Sequence, residues 1–159
     1  KYSKVQLEKI TSITTSSKYD TYKGGEAGNI PMTGAYDDIT VGMLQNAVFT
    51  VKYTNLDVGS VSQSLTADID YGSLDVSNLK AGFSGMVITT NYAPVKIYGA
   101  VPCKVDISGK YFDADLGKDF IVKNKVSEGS IKRISGYKMS EKTSATIRIE
   151  SRYGNVTLK

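Results

Sequence analysis

The chain has 159 residues and a mass of 17.2 kDa, with 40% hydrophobic and 23% charged residues, which fits one globular domain. It has no His and one Cys, Cys103, so His-based catalysis, His metal sites, an internal disulfide and a Cys-rich zinc site are excluded. The net charge is +4, yet the basic residues are spread along the chain and form no concentrated patch typical of nucleic-acid binding.

Tyrosine is the unusual feature of the composition, with 11 Tyr against four Phe and no Trp. Seven of them stand at one position of a recurring segment: Tyr19, Tyr36, Tyr53, Tyr71, Tyr92, Tyr111 and Tyr153. Recurrence at a nearly constant spacing indicates an internal repeat. The gap before Tyr153 is twice as long as the others and predicts one degenerate unit, with Glu128 in the place of Tyr.

Along the chain, residues 1–11 have no matching motif and form a predicted leading segment, with Lys1 as a processed or trimmed end. Residues 12–117 are the regular units. Before each Tyr, apolar residues alternate with polar ones, as in Leu65, Ala67 and Ile69, which indicates a strand with one buried face. After the Tyr the alternation slips at a corner of turn-forming or small residues and then resumes.

Residues 118–159 depart from this pattern. From Lys118 to Lys142 the chain is more polar and alternates weakly, which predicts an irregular coil or a hairpin that caps the open end. The stretch from Ala145 to Ile149 is expected to re-enter the stack. A terminal unit must differ from the others, since its edge would otherwise recruit another chain.

The fold predicted from these elements is all-β: a single-domain parallel β-solenoid of about seven coils of about 17–21 residues. A unit of this length cannot bury its own apolar face, and stacking successive units does so. A β-sandwich would also have many short strands, but it does not explain the Tyr period. A left-handed hexapeptide helix would need a stricter six-residue repeat.

The Tyr units, such as Tyr53 followed by Leu56 and Val58, and the final segment from Ile147 to Leu158 resemble a bacterial adhesin-like β-strand-repeat family. The family includes the auto-transporter adhesin head (GIN) type. The resemblance covers residues 12–159. It implies a right-handed parallel β-helix and an exported, often lipid-anchored protein, and it transfers no catalytic residues.

The Tyr column is predicted to line the inside of the corners. Each Tyr shares the phase of inward residues such as Val51 and Ile69, so we expect a stacked and largely buried column. It would comprise Tyr36, Tyr53, Tyr71, Tyr92 and Tyr111. Tyr98 and Tyr137 lie off the column and are candidates for surface contacts.

Two pairs of carboxylates, Asp68 with Asp70 and Asp113 with Asp115, each share one face of a strand. β-Helix polysaccharide hydrolases and lyases use clustered Asp for acid–base chemistry or Ca²⁺. Neighbouring basic residues and the lack of long loops favour instead a solvated face with ion pairs between coils. The candidate surface contacts are Asp68, Asp70, Asn91, Asp106, Lys110, Asp113, Asp115, Tyr98 and Tyr137.

No cofactor or metal site is predicted. The Gly-rich stretch from Lys23 to Gly28 lacks the Gly-Lys-Ser/Thr ending of a phosphate loop and the Asp of a calcium-binding repeat. Cys103 alternates with Val105 and Ile107, so it is expected to be an inert core thiol.

The leading functional hypothesis is a non-catalytic, exported protein of the cell surface, outer membrane or periplasm that displays an adhesin-like face. Its partner would be a glycan or an envelope protein, with no nucleic acid, and with membrane attachment only through an N-terminal lipid anchor upstream of Lys1. Two alternatives remain open: a polysaccharide-active β-helix enzyme using Asp113 and Asp115, and a structural spacer in a surface assembly. Any recognition is expected to be polar and multivalent along the rod.

Overall fold

The computed structural model describes residues 3–12 and 15–159; Lys1, Tyr2, Ile13 and Thr14 lie outside the described residues. The described residues form 14 β-strands and contain no helix, so they include none long and apolar enough to cross a membrane. The strands are β1 (Ser3–Ser12), β2 (Thr15–Lys18), β3 (Asp20–Ala35), β4 (Asp38–Lys52), β5 (Asn55–Asp70), β6 (Ser73–Val76), β7 (Gly85–Asn91), β8 (Val95–Ile97), β9 (Cys103–Lys110), β10 (Asp113–Leu116), β11 (Phe120–Glu128), β12 (Ile131–Lys138), β13 (Thr146–Arg152) and β14 (Asn155–Leu158).

From β1 to β8, successive repeat units pair side by side and in parallel. Ser3 pairs with Asp20, Thr21 with Asp38, and Asp38 with Asn55, so that each residue meets its counterpart in the next unit. The offset in sequence grows along β5 to β8 because the later units are longer. The 14 strands form one sheet that wraps nearly closed around the core.

The strands before and after each corner both contribute side chains to the core. In β4 and β5, alternate side chains such as Phe49, Val51, Leu56 and Val58 are buried, and the residues between them are exposed. All of them belong to one hydrophobic cluster. Because burying one such side chain stabilises the fold by about 1.5–3 kcal/mol, the alternation read from the sequence specifies which face turns inward.

The last unit of the chain does not stack on the end of the sheet. β13 pairs in parallel with β7 on one side and with β9 on the other, so that Ile149 lies between Ile88 and Ile107. β14 lies in the same way between β8 and β10. The predicted re-entry of this segment is therefore confirmed, but it occupies a position between two units that precede it in the sequence.

The region between these units is an antiparallel hairpin, which makes the sheet mixed. β12 pairs antiparallel with β9, and β11 with β12, so β11 is the last strand of the sheet. Glu128 ends β11 beside the hairpin turn. The predicted degenerate unit with Glu128 in the Tyr place is thus wrong; the long gap between Tyr111 and Tyr153 contains the hairpin instead of a further parallel turn.

Candidate functional site: an exposed tyrosine ladder

Each repeated Tyr has a left-handed backbone. Their φ angles lie between 51° and 62°, a region that residues other than Gly, Asn and Asp seldom adopt. Such a residue inserts one extra outward position into the alternation: Val51 is buried, Lys52 and Tyr53 are both exposed, and Thr54 is buried again. The corner therefore falls on the Tyr itself.

The seven rings form a continuous stack, which we call the tyrosine ladder. Neighbouring ring centroids are 4.6–5.0 Å apart and the planes differ by 2–16°. The rungs follow the order of the sheet, so that Tyr153 lies between Tyr92 and Tyr111. The separation equals the roughly 4.8 Å spacing of paired strands, so parallel pairing alone brings the rings into contact.

The prediction that this column is largely buried is wrong. The seven rings are 40–59% exposed, although the predicted stacking among Tyr36, Tyr53, Tyr71 and Tyr92 is present. The left-handed corner turns each ring away from the core, and the next residue takes the inward position. Tyr111 stacks on Tyr153, which stacks in turn on Tyr92.

The ladder offers ring edges rather than ring faces to a partner. Each interior ring is covered on both faces by its neighbours, so its exposed fraction comes from the edge and the phenol end. A sugar cannot stack on the faces of the interior rings, because neighbouring Tyr rings already cover those faces. The partners that suit this surface are those that meet the positive edges of the rings and the hydroxyl groups.

Two rows of polar side chains border the ladder. On the side of the residue that precedes each Tyr, Lys52 Nζ lies 3.2 Å from Asp70 Oδ2, and Asn91 Nδ2 donates to Asp70 Oδ1 at 2.8 Å. The hydrogen bond from Asn91, with Lys52, lowers the pKa of the Asp70 carboxyl. On the other side, Asn55 donates to Asp38 at 3.1 Å and Ser73 donates to Asn55 at 3.0 Å.

Three of the predicted contact residues lie in the row beside the ladder: Asp70, Asn91 and Lys110. Asp70 and Asn91 are neighbours, whereas Lys110 is separated from Asn91 by Arg152, with which both pair. Asp68 is exposed on β5, on the same face as Asp70. The structure thus brings Asp70 and Asn91 together and leaves Lys110 two rungs beyond Asn91.

Asp106, Tyr98 and Tyr137 lie away from both rows that border the ladder. Asp106 is 3.9 Å from Arg148 Nε, on the outer face of β9 and β13. Tyr98 is partly buried in the segment after β8, where its N–H donates to Val76 O at 2.8 Å. Tyr137 lies on β12, with Lys123 Nζ 5.6 Å from its ring centroid. Asp106 and Tyr137 line one open surface pocket together with Arg148, whereas Tyr98 is not part of it.

Asp113 and Asp115 lie on β10 and each has a lysine partner. Lys132 Nζ donates to Asp113, which lowers the pKa of that carboxyl. Lys159 Nζ lies 2.8 Å from Asp115, which raises the pKa of Lys159. A general acid needs a carboxyl held protonated by its surroundings, and the lysine beside Asp113 has the opposite effect.

Inside the first three corners, the residues that follow Tyr form a polar row of their own: Asp20, Asp37 and Thr54. Asp37 and Thr54 are buried, and their side-chain oxygens accept the backbone N–H of Asp20 at 2.8 Å and of Asp37 at 3.2 Å. Cys103 is buried as predicted, and burial raises the pKa of its thiol. The inner polar row and the outward direction of the Tyr rings were not predicted from the sequence, although a small or polar residue follows most of the Tyr.

No family model matches the chain, and no curated protein matches it. Among solved structures, the chain is similar to a protein from Clostridium sporogenes described as a "putative cell adhesion protein". The identity is 12% and the TM-score 0.29, over 99% of this chain and 92% of that chain. A likeness at this level carries no argument about the function of this chain.

Proposed function

We propose that the protein is a non-catalytic, exported cell-envelope module that binds through its tyrosine ladder. In this proposal the parallel units form a right-handed β-helix of about seven coils, and the ladder runs along one corner of it. The protein would lie at the cell surface or outer membrane, or in the periplasm.

The observation that carries the proposal is that the ladder is half-exposed. Gly and Asn adopt a left-handed backbone with the least strain, whereas a Tyr in that conformation loses about 1–2 kcal/mol of stability. Stacking of about 0.5–1.5 kcal/mol per ring pair offsets that cost. Stacking alone would be satisfied by any aromatic residue, and all seven rungs are Tyr, which puts a phenol hydroxyl on every one.

The geometry favours an extended polar partner, a glycan chain or a segment of an envelope protein, lying along the ladder. The rungs repeat every 4.6–5.0 Å and are bordered by hydrogen-bonding rows, so a repeating partner makes the same contact several times. Weak contacts repeated along a rigid row add up to useful affinity. The carboxylates of Asp113 and Asp115, each beside a lysine, give no support to the alternative of a polysaccharide-active enzyme.

The test is a binding screen of the whole chain on a glycan array and on envelope extracts, with a ladder variant beside it. The variant Tyr53→Asn/Tyr71→Asn removes two rungs, and Asn tolerates the left-handed corner. We expect it to lose roughly tenfold or more of the binding, because neighbouring rungs act together. The matched control is Val48→Ser/Val87→Ser, which changes two exposed side chains elsewhere on the sheet.

Equal binding by the ladder variant and the control would assign the contact to another surface. Absence of any ligand in both screens would favour the structural spacer, in which the ladder serves only to hold the coils together. Turnover of a polysaccharide that Asp113→Asn abolishes would revive the enzyme.

A further inference from the structure

The two ends of the stack of units are built differently. At one end, β12 pairs antiparallel with β9 and β11 covers β12, with a bulge at Lys123. A bulge and lysines on an edge strand are devices that prevent pairing with a further strand. At the other end lies β1, which pairs with β3 and, within the described part of the chain, with no other strand. One edge of β1 is therefore open.

The core is also uncovered at the β1 end. Val5 is only partly buried, whereas its counterparts in two later units, Ile39 and Leu56, are 2% and 0% exposed. The difference arises because each later unit lies between two others. A strand laid against β1 would cover Val5 and supply backbone hydrogen bonds at the same time.

The backbone groups that face the open edge follow from the register. Lys4 takes the same place in its unit as Asn55, whose N–H donates to Asp37 O of the preceding unit at 3.1 Å. Successive residues of a strand direct their backbone groups to opposite sides, so Gln6 faces the same way as Lys4. Both residues thus direct their N–H and C=O groups to the open edge of β1.

Glu8 makes this edge unsuitable for a further parallel unit. In the next three units, Gly25, Gly42 and Gly59 stand at the place of Glu8, and a Cβ on any of them would collide with the carbonyl oxygen of the preceding unit. A unit stacked in parallel on β1 would bring its own carbonyl against the Cβ of Glu8 in the same way. A charged side chain at this place on an edge strand therefore acts against parallel addition.

An antiparallel strand from a second copy avoids this collision. Beside Lys4 of that copy lies Ser3, whose N–H donates to Asp20 Oδ1 of its own copy at 2.7 Å. Ser3 thus faces its own sheet and directs no carbonyl at the Cβ of Glu8. The N–H of Glu8 still points outward, because Ser77, at the same place in a later unit, donates its N–H to the preceding unit at 2.9 Å.

The side chains of β1 select one register for such a pairing. Lys4, Gln6 and Glu8 are exposed. If Gln6 lies on a twofold axis, Lys4 of each copy faces Glu8 of the other copy, and a shift of two residues removes both contacts. Within the described residues neither Lys4 nor Glu8 has an ion-pair partner, whereas Lys9 Nζ lies 3.6 Å from Glu26 Oε2.

We infer that the protein forms a head-to-head dimer in which the β1 strands of two copies pair antiparallel about Gln6. The two Gln6 residues exchange two backbone hydrogen bonds, and each Glu8 N–H donates to Lys4 O of the other copy, which makes about four bonds. Two ion pairs between Lys4 and Glu8 flank them, and both Val5 side chains become covered. This surface is separate from the ladder, and the inference does not depend on the proposed function.

Sedimentation equilibrium of the whole chain measures the association. We expect a species of twice the 17.2 kDa monomer mass and none larger, because the opposite end is capped. Lys4→Glu and Glu8→Lys should each weaken the dimer by roughly tenfold or more, since the twofold axis places like charges together twice. The double variant Lys4→Glu/Glu8→Lys should restore it. A mixture of the two single variants should form a heterodimer, in which both cross-strand pairs again have opposite charges.

A backbone variant tests the hydrogen bonds separately. Pro has no N–H, and an edge strand tolerates it where the N–H faces outward. Gln6→Pro should therefore weaken the dimer by roughly tenfold or more without lowering the melting temperature of the monomer. The matched controls are Lys80→Glu and Glu128→Lys, which make the same changes of charge at exposed positions outside β1 and should leave the association unchanged.

Each outcome decides for or against the dimer. A chain that remains monomeric at all concentrations would overturn the inference, and so would assemblies larger than a dimer, since they would need the capped end. A dimer that Lys4→Glu and Gln6→Pro leave intact would assign the contact to another surface. Loss of association in both charge variants without recovery in the double variant would overturn the register. Thermal melts of the dilute variants verify that each one is folded.

Discussion

The part of the sheet from β3 to β8 and the part from β9 to β14 share the same tyrosine corner but differ in the order in which their units pair. Within the first region, units that are consecutive in the sequence pair with one another. In the second, β9 and β10 are separated from β7 and β8 by the last unit of the chain. The comparison shows that a local repeat determines the shape of each unit and leaves the order of the units open.

The difference has a mechanical consequence. In the described residues, β9–β12 join the rest of the sheet through β13 and β14, which pair with both regions. The last unit therefore acts as the bridge between two parts that are contiguous in sequence only through residues 98–102. Its apolar side chains, among them Ile147, Ile149, Val156 and Leu158, are fully buried in the shared core.

The largest expected effect comes from breaking this bridge. Ile149→Ala and Ile69→Ala each remove a side chain that is fully buried, and each should lower the free energy of unfolding by about 3 kcal/mol in urea titrations. Hydrogen exchange should distinguish them, because Ile149→Ala loosens the connection to β9–β12 and should raise exchange there first. Identical exchange patterns in the two variants would mean that the last unit is not a bridge.

A second prediction compares two glycines. A Cβ on Gly72 would collide with the backbone carbonyl of Thr54 in the neighbouring unit, whereas Gly129, at the hairpin turn, has open space around it. We expect Gly72→Ala to cost about 3 kcal/mol, since backbone must shift, and Gly129→Ala about 1 kcal/mol, since only its φ of 57° is unfavourable for Ala. Thermal denaturation of the two variants measures the difference in stability. A larger loss in Gly129→Ala than in Gly72→Ala would show that the neighbouring units can move apart at the Gly72 corner with little loss of stability.

A third prediction concerns the ladder within the regular region and at its far end. Tyr71 stacks on two rings, and Tyr111 on one ring among the described residues. Tyr71→Ala should cost about 2 kcal/mol and Tyr111→Ala about 1 kcal/mol in urea titrations. Tyr71→Asn should recover part of the loss, because Asn accepts the left-handed backbone. A loss of more than about 4 kcal/mol of unfolding free energy in Tyr71→Ala would instead indicate that the Tyr column is buried, as the alternation predicted.

The smallest effect is expected at Asp70, and it depends on pH. The pKa of this carboxyl is lowered in the folded protein from its ordinary value of 3.8 by Asn91 and Lys52. Its stabilising contribution is therefore present above that value and is lost as the pH falls through the lower, folded pKa. Asp70→Asn should cost under about 1 kcal/mol at pH 7, as for other solvent-accessible pairs. The same urea titration at pH 3 should show a smaller difference, and a gap that grows in acid would contradict the assignment.

Much of the fold follows from the sequence. The alternation before and after each Tyr located the strands and their buried faces, as at Phe49, Val51, Leu56 and Val58. The Tyr period located the corners, and the weak alternation after Lys118 marked the part that departs from parallel stacking. Part of the candidate site, the row with Asp70 and Asn91, could be predicted from the sequence. The residues that precede successive Tyr must become neighbours when the units pair.

The outward direction of the Tyr rings could be seen only in the folded chain. By alternation alone, Tyr53 has the phase of buried Val51, and Tyr has no intrinsic preference for the left-handed backbone that reverses this. The strained conformation persists because rings on both sides compensate for it, and those rings, Tyr36 and Tyr71, belong to the units before and after.

The sequence by itself thus determined the period, the corner positions and the inward face of the alternating strands, since these depend on residues within one unit. Tertiary structure alone decided the place of Tyr153 between Tyr92 and Tyr111, and the exposure of Ile121, Val126 and Ile131. Parallel strands with the same alternation can pair in any order, so the residues within one unit do not decide which units become neighbours.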